Sequence, residues 1–269
     1  MANMEKFSSL RKITELKDKK SRKSDKLSDL KKKNSINANI KPIKKVTRFF
    51  RFKSLVYLLK QDKKLILWNF FLKRPFFHSF KLIKSYLKKA PYIQKEDLFF
   101  FNINSFNDLT KKAKDKNSIF VFGYSYCMKP KDCPSKRFTK DCIHDKDNEI
   151  CQKCEIFHQI SKIPANDILL IIPDAYYIGI KLAEIIEKNP KKEIIYIIIT
   201  CNMCINMFSD LSNMLNIKGL SIELSGRVCR NYKSFLFAEK GIKSGITNLY
   251  NNTDEKILDI LKIREDIFS

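Results

Sequence analysis

Six glycines among 269 residues leave the chain without a glycine-rich phosphate loop, which argues against a standard dinucleotide or P-loop site. No apolar run in the Phe-rich segment before residue 98 approaches the ~20 residues that a bilayer crossing needs, so nothing there reads as a transmembrane helix. Residues 1–40 hold no apolar h-region and no small-residue cleavage site, so the expected setting is the reducing cytoplasm. Acidic residues are also scarce at that end. Residues 1–100 carry 28 Lys and Arg against 8 Asp and Glu, a net +20, whereas the rest carries 25 against 21, a net +4. Cysteine is missing altogether before Cys127.

All eight cysteines then fall between Cys127 and Cys229. So many thiols in so short a stretch call for disulfides, metal ligation or redox chemistry. A reducing compartment and a chain longer than disulfide-stapled domains disfavour disulfides.

Composition divides the chain into three parts. Residues 1–45 are charged and poor in large apolar side chains, and are expected to form a disordered basic tail. Residues 46–97 interleave Phe, Leu, Ile and Trp with Lys and Arg, and read as two or three amphipathic helices, interrupted near Pro75 and ended before Pro91. Two readings of that basic region stand side by side: a helical subdomain packed on the rest of the chain, or an anchor lying on the anionic inner face of a membrane. Nucleic acid suits the charge as well, but no recognised nucleic-acid motif accompanies it.

Residues 98–269 read as a Cys-rich α/β domain. Uncharged runs at Ser118 to Ser125, Ile168 to Pro173, Ile194 to Thr200 and Leu220 to Leu224 suit strands buried on both faces, and a weak fifth is expected at Ile246 to Tyr250. Helical stretches alternate with them at Tyr176 to Lys188, Asn202 to Leu215 and Lys233 to Lys240, with Thr253 capping a last helix. The expected fold is a Rossmann-like, mostly parallel sheet with flanking helices.

Parallel strands deliver their carboxyl ends to one edge, where ligands bind. Cys127, Cys201, Cys204 and Cys229 follow the first, third and fourth strands, and are expected to meet there, with Asp174 after the second. The long connection carries Cys133, Cys142, Cys151 and Cys154, with His144 and His158 as weaker ligand candidates. Cys151 to Cys154 and Cys201 to Cys204 are CxxC pairs, each able to give two ligands on one turn. Their separation fits neither common zinc modules nor a named cluster type. The expected cofactor is an iron–sulfur cluster or zinc, with all eight cysteines as ligand candidates and Cys142 and Cys229 the readiest to be inert buried thiols. Cys201 opens a helix, so a thioredoxin-like dithiol of Cys201 and Cys204 is another reading. Arg227, in the turn after the fourth strand, and Lys136-Arg137 offer basic groups to an anionic cofactor. His78 has no partner in sequence and is expected to pack.

Cys127, the Cys133-Pro134-Ser135-Lys136-Arg137 segment, the Ile199-Thr200-Cys201 strand end and Cys229 together resemble a cysteine-rich family of archaeal and bacterial proteins known as a domain of unknown function. That resemblance spans roughly residues 118 to 250 and implies metal binding and membrane association. The functions expected are therefore a redox or enzymatic metal centre, a zinc-stabilised module docking on an anionic membrane or nucleic acid, or dithiol oxidoreduction.

Overall fold

The computed structural model describes residues 47–229, 231–243, 245–250 and 253–268, and the tail expected over residues 1–45 lies outside them. The basic segment forms α1 (Arg48–Gln61), α2 (Ile66–Lys73) and α3 (Pro75–Leu87). Thr47 caps α1 by accepting from the Phe50 amide, and Pro75 stands in the first turn of α3, where its missing N–H costs nothing. A hairpin of β1 (Ile93–Lys95) and β2 (Leu98–Phe101) follows, then α4 (Phe106–Ala113) and β3 (Ser118–Ser125). The long connection holds two short helices, α5 (Glu149–Gln152) and α6 (Glu155–Ile160). Alternation then runs β4 (Ile168–Ile172), α7 (Ala175–Lys188), β5 (Glu193–Thr200), α8 (Asn202–Met214) and β6 (Lys218–Glu223). The chain continues through β7 (Ser225–Gly226), α9 (Tyr232–Glu239), β8 (Thr247–Asn248) and α10 (Thr253–Phe268).

The main sheet has the order β1-β2-β6-β5-β3-β4. Strands β6, β5, β3 and β4 are parallel, and the β1–β2 hairpin adds antiparallel to β6. From β3 the chain crosses to β4 on one side, and from β5 to β6 on the other. The topological switch point is therefore the crevice between the carboxyl ends of β3 and β5.

Successive residues of each strand feed opposite layers. Val121, Tyr196 and Ile198 pack with α7 and α8, while Phe120, Phe122, Ile195 and Ile197 pack with Leu109 of α4 and with Ile257, Ile260 and Leu261 of α10. This is an α/β protein with helices on both faces of a mostly parallel sheet.

Helices α1 and α3 lie outside α8, so α8 is covered on both sides and buries ten residues from Ile205 to Met214. Its outward polar residues are met by polar partners. Arg51 of α1 donates from Nε to Asp210 at 2.8 Å and makes a shorter contact from Nη2, and Ser85 of α3 donates to the same carboxylate at 2.6 Å. Asn213 donates to Ser85 Oγ and to the Pro91 carbonyl. His78 is buried against Phe70 and bonds the Met214 carbonyl at 3.0 Å, as its isolation in sequence led one to expect. The basic helices are thus a packed layer of the same body.

Two expectations need correction. The proposed fifth strand is β8, and it pairs with β7 in a separate two-stranded ladder. The place beside β6 is taken by β2, whose four residues are all buried. The domain limit drawn at residue 97/98 also falls inside the β1–β2 hairpin, because Lys95 pairs with Leu98.

Candidate metal centres

The eight cysteines sort into two sets of four. Cys127, Cys201, Cys204 and Cys229 line one small hollow with Asp174 and Glu239. It lies at the switch point, because Cys127 follows β3 in a short 3-10 turn that Ser125 caps, and Cys201 is the residue on which α8 starts. Cys204 sits one turn further along α8, its sulfur 3.7 Å from that of Cys201. Cys229 reaches the hollow from the segment after β7. The other small hollow is lined by Cys133, Cys142, Cys151 and Cys154 with Lys129, Pro130 and Ile156. Asn148 caps α5 to place Cys151, and Cys154 precedes α6. The enclosed spaces are ≈ 10 Å³ and ≈ 20 Å³, room for about one water molecule each, so neither accommodates a nucleotide as it stands.

Cys142 and Cys229, expected to be inert, each complete a set of four. The reason is topological: the connection folds back so that residues 133 to 154 close on one another, and the segment after β7 returns over the sheet edge. The histidines stand apart. The His144 ring lies on Phe157, with centroids 4.3 Å apart, and bonds the Phe157 carbonyl, and His158 packs edge-on against the same ring. Arg137 is buried and donates to the carbonyls of Lys243 and Cys127, so it braces the walls of the first hollow. Asp174 accepts from the Tyr177 amide at 2.7 Å as the cap of α7, and burial raises its pKa. Arg227 does not line the hollow, and its amide donates to the Ile246 carbonyl.

Each set carries a lysine that the sequence did not single out, Lys129 buried and Lys243 half-buried. Lys243 donates to Cys127 Sγ at 2.9 Å. Burial opposes its charge, but the sulfurs of Cys127, Cys201 and Cys229 outweigh it and hold the ammonium above its ordinary range. Lys129 donates to the carbonyls of Lys136, Thr139 and Asp141, which pins the turn between Cys133 and Cys142. Hydrogen bonds from Cys204 and Cys229 hold the Cys201 thiol well below the usual range, and the same bonds push its two partners up. Among the described residues, no group of three or more His, Cys, Asp or Glu side chains is gathered tightly enough for a single metal ion.

Glu239, also unsingled by sequence, ends α9 beside the first hollow. It accepts from the Ala175 amide at 3.1 Å and from the Tyr57 hydroxyl at 3.4 Å, and burial pushes its pKa up to about 8. The folded state therefore holds the Glu239 proton more tightly than the unfolded chain, whose ordinary value is 4.5. This contribution to stability is full below that value and is lost as pH rises through about 8. In the metal-free protein, Glu239→Gln is expected to flatten the fall of stability across that window, read as urea midpoints at successive pH values. An unchanged slope would show that Glu239 ionises normally.

Fold and site define a parallel α/β protein with two four-thiol hollows, one of them at the switch point. No family model, curated protein or solved structure matches the chain. These comparisons lend no support to the resemblance to the cysteine-rich family.

Proposed function

We propose that the chain is a metal–thiolate protein in which each set of four cysteines holds an iron–sulfur cluster, giving it a redox role or a redox step within an enzymatic reaction. The observation that carries this reading is the sorting of eight cysteines into two closed sets of four, the ligand number that such clusters take. One zinc ion would draw its four sulfurs to 2.3 Å from a common centre, hence about 3.8 Å from one another. The Cys201 and Cys204 sulfurs, 3.7 Å apart, stand at that spacing, whereas thiolates on different irons of a cluster stand further apart, so the cluster reading rests on the ligand number and not on the sulfur separation. When bound, such a cluster supplies one-electron transfer.

The surrounding side chains suit that task. Lys243 sets a positive charge against the thiolates of the first set, and Lys129 lies in the wall of the second, so negative charge from four thiolates is partly balanced in each. Apolar neighbours such as Ile172, Phe235 and Ile156 keep water away, which strengthens those charges.

The close pair Cys201 and Cys204 favours a second reading, dithiol oxidoreduction. Against it, the thiol with the lowered pKa, Cys201, is only 2 % exposed, whereas an attacking thiolate must reach its substrate.

Anaerobic purification followed by iron, sulfide and zinc analysis and an absorption spectrum tests the proposal. Brown protein with equal iron and sulfide is the expected result. Colourless protein with stoichiometric zinc points instead to a zinc-stabilised module, and folded metal-free protein revives the dithiol.

A further inference from the structure

Helix α3 is turned inside out relative to an ordinary surface helix. The side chains that it buries are His78 and Ser85, both polar and both bonded to α8 or to the turn after it. The side chains that it leaves in solvent are apolar: Phe76 is 91 % exposed, and Phe80 and Leu87 are each 63 % exposed. The inversion follows from the Asp210 cluster, because Ser85 and Arg51 must face that buried carboxylate, and the Phe and Leu residues are then carried to the opposite side. Phe49 and Phe52 of α1 and Trp68 of α2 are exposed as well. Large apolar residues scattered singly on a surface need no explanation, but a concentration of this kind on adjoining helices marks an interaction site.

The charge around this apolar face identifies its partner. From Arg48 to Leu87 the chain has ten Lys and Arg and one acidic residue, Asp62. That one carboxylate is buried, accepting from the Ile66 and Trp68 amides and from the Tyr176 hydroxyl, so it offers no negative charge outward. Lysines lie beside the exposed rings: Lys53 Nζ is 4.5 Å from the Phe49 ring centre and Lys81 Nζ is 5.4 Å from that of Phe77. Rings and aliphatic side chains edged by cations are what a helix lying in an anionic lipid interface presents. A second protein copy would have to bring equal positive charge against itself. Among the described residues no helix is long and apolar enough to cross a bilayer, so this contact would be made by lying on the surface.

We infer that the outer face of α1–α3 docks on an anionic lipid bilayer, through Phe76, Phe80 and Leu87 dipping below the headgroups and Lys81 and Lys84 meeting them. This inference is independent of the metal centres.

Co-flotation of the full chain tests it with vesicles of phosphatidylcholine containing one third phosphatidylglycerol, beside vesicles of phosphatidylcholine alone. Binding to the anionic vesicles that weakens as salt is raised is expected. The triple variant Phe76→Ser, Phe80→Ser, Leu87→Ser should bind at least about a thousandfold more weakly, since burying each such side chain is worth roughly tenfold or more. Lys81→Glu with Lys84→Glu should weaken it to a similar degree. All five positions are off the core, so both variants should keep the wild-type thermal midpoint and metal content. Equal binding by wild type and the triple variant would overturn the inference. So would absence of flotation, whether the triple variant converts a dimer to a monomer, which assigns the face to a second copy, or the lysine variant abolishes binding to nucleic acid.

Discussion

Replacing Cys201 by Ser is expected to remove about half of the iron and sulfide of the anaerobically loaded chain, and replacing Cys151 by Ser the other half. Both residues are nearly buried, and each belongs to a different set of four, so neither loss should spread far. Loss of one thiolate from a cluster site removes a quarter of its ligands. The double variant should be almost free of iron. Cys127→Ser and Cys229→Ser should follow Cys201→Ser, although Cys127 and Cys229 are far apart in sequence, because the sheet edge brings them together. Cys142→Ser should follow Cys151→Ser. Full iron in the Cys201 and Cys229 variants would abolish the edge site, and loss of all iron from any single variant would merge the two sets into one centre.

The largest single effect on stability is expected from Arg264→Leu, a loss of about 3–5 kcal/mol. Arg264 is fully buried in α10 and spends its whole guanidinium on the protein. It donates to Asp167 at 2.9 and 2.7 Å, to the carbonyls of Ala113, Asp115 and Ser118, and to Ser118 Oγ. Its planar group lies 4.7 Å from the Phe120 ring centre and 4.8 Å from that of Phe268. Removing it leaves the Asp167 carboxylate buried without its counter-charge, and three carbonyls lose a donor. Lysine cannot restore a planar fork, so Arg264→Lys should recover little. Arg264→Leu combined with Asp167→Leu should recover part of the loss, because burying an ion pair carries its own desolvation cost. Denaturant midpoints measure all three, and a cost under about 1 kcal/mol for Arg264→Leu would contradict this account.

How much of this was legible in the sequence depended on how local the deciding forces are. Strand β3 was readable to its end residues, since a strand covered on both faces excludes charge along its length, and Ser118 to Ser125 is such an uncharged run. The meeting of strand-end cysteines was readable for the same reason, because parallel crossovers fix where strands end. The β1–β2 hairpin was not. Leu98 to Phe101 is only four residues long and its pairing with β6 lies more than a hundred residues away. Lys243 and Glu239 carried no local signal, being one cation among 53 and one acid among 29. The apolar stripe of α3 was visible as a period, but its direction was not, since a period does not say which side faces in. That was settled by Asp210, a residue on another helix.

Cys127 and Lys129 are separated by one residue and line different hollows. A stretch so short reaches at most about 7 Å, so the two walls cannot move independently. Whatever immobilises Cys127 also restricts Lys129, and with it the three carbonyls that Lys129 gathers. The backbone order imposed on one hollow is therefore partly shared by the other, while the four thiols of each set remain its own.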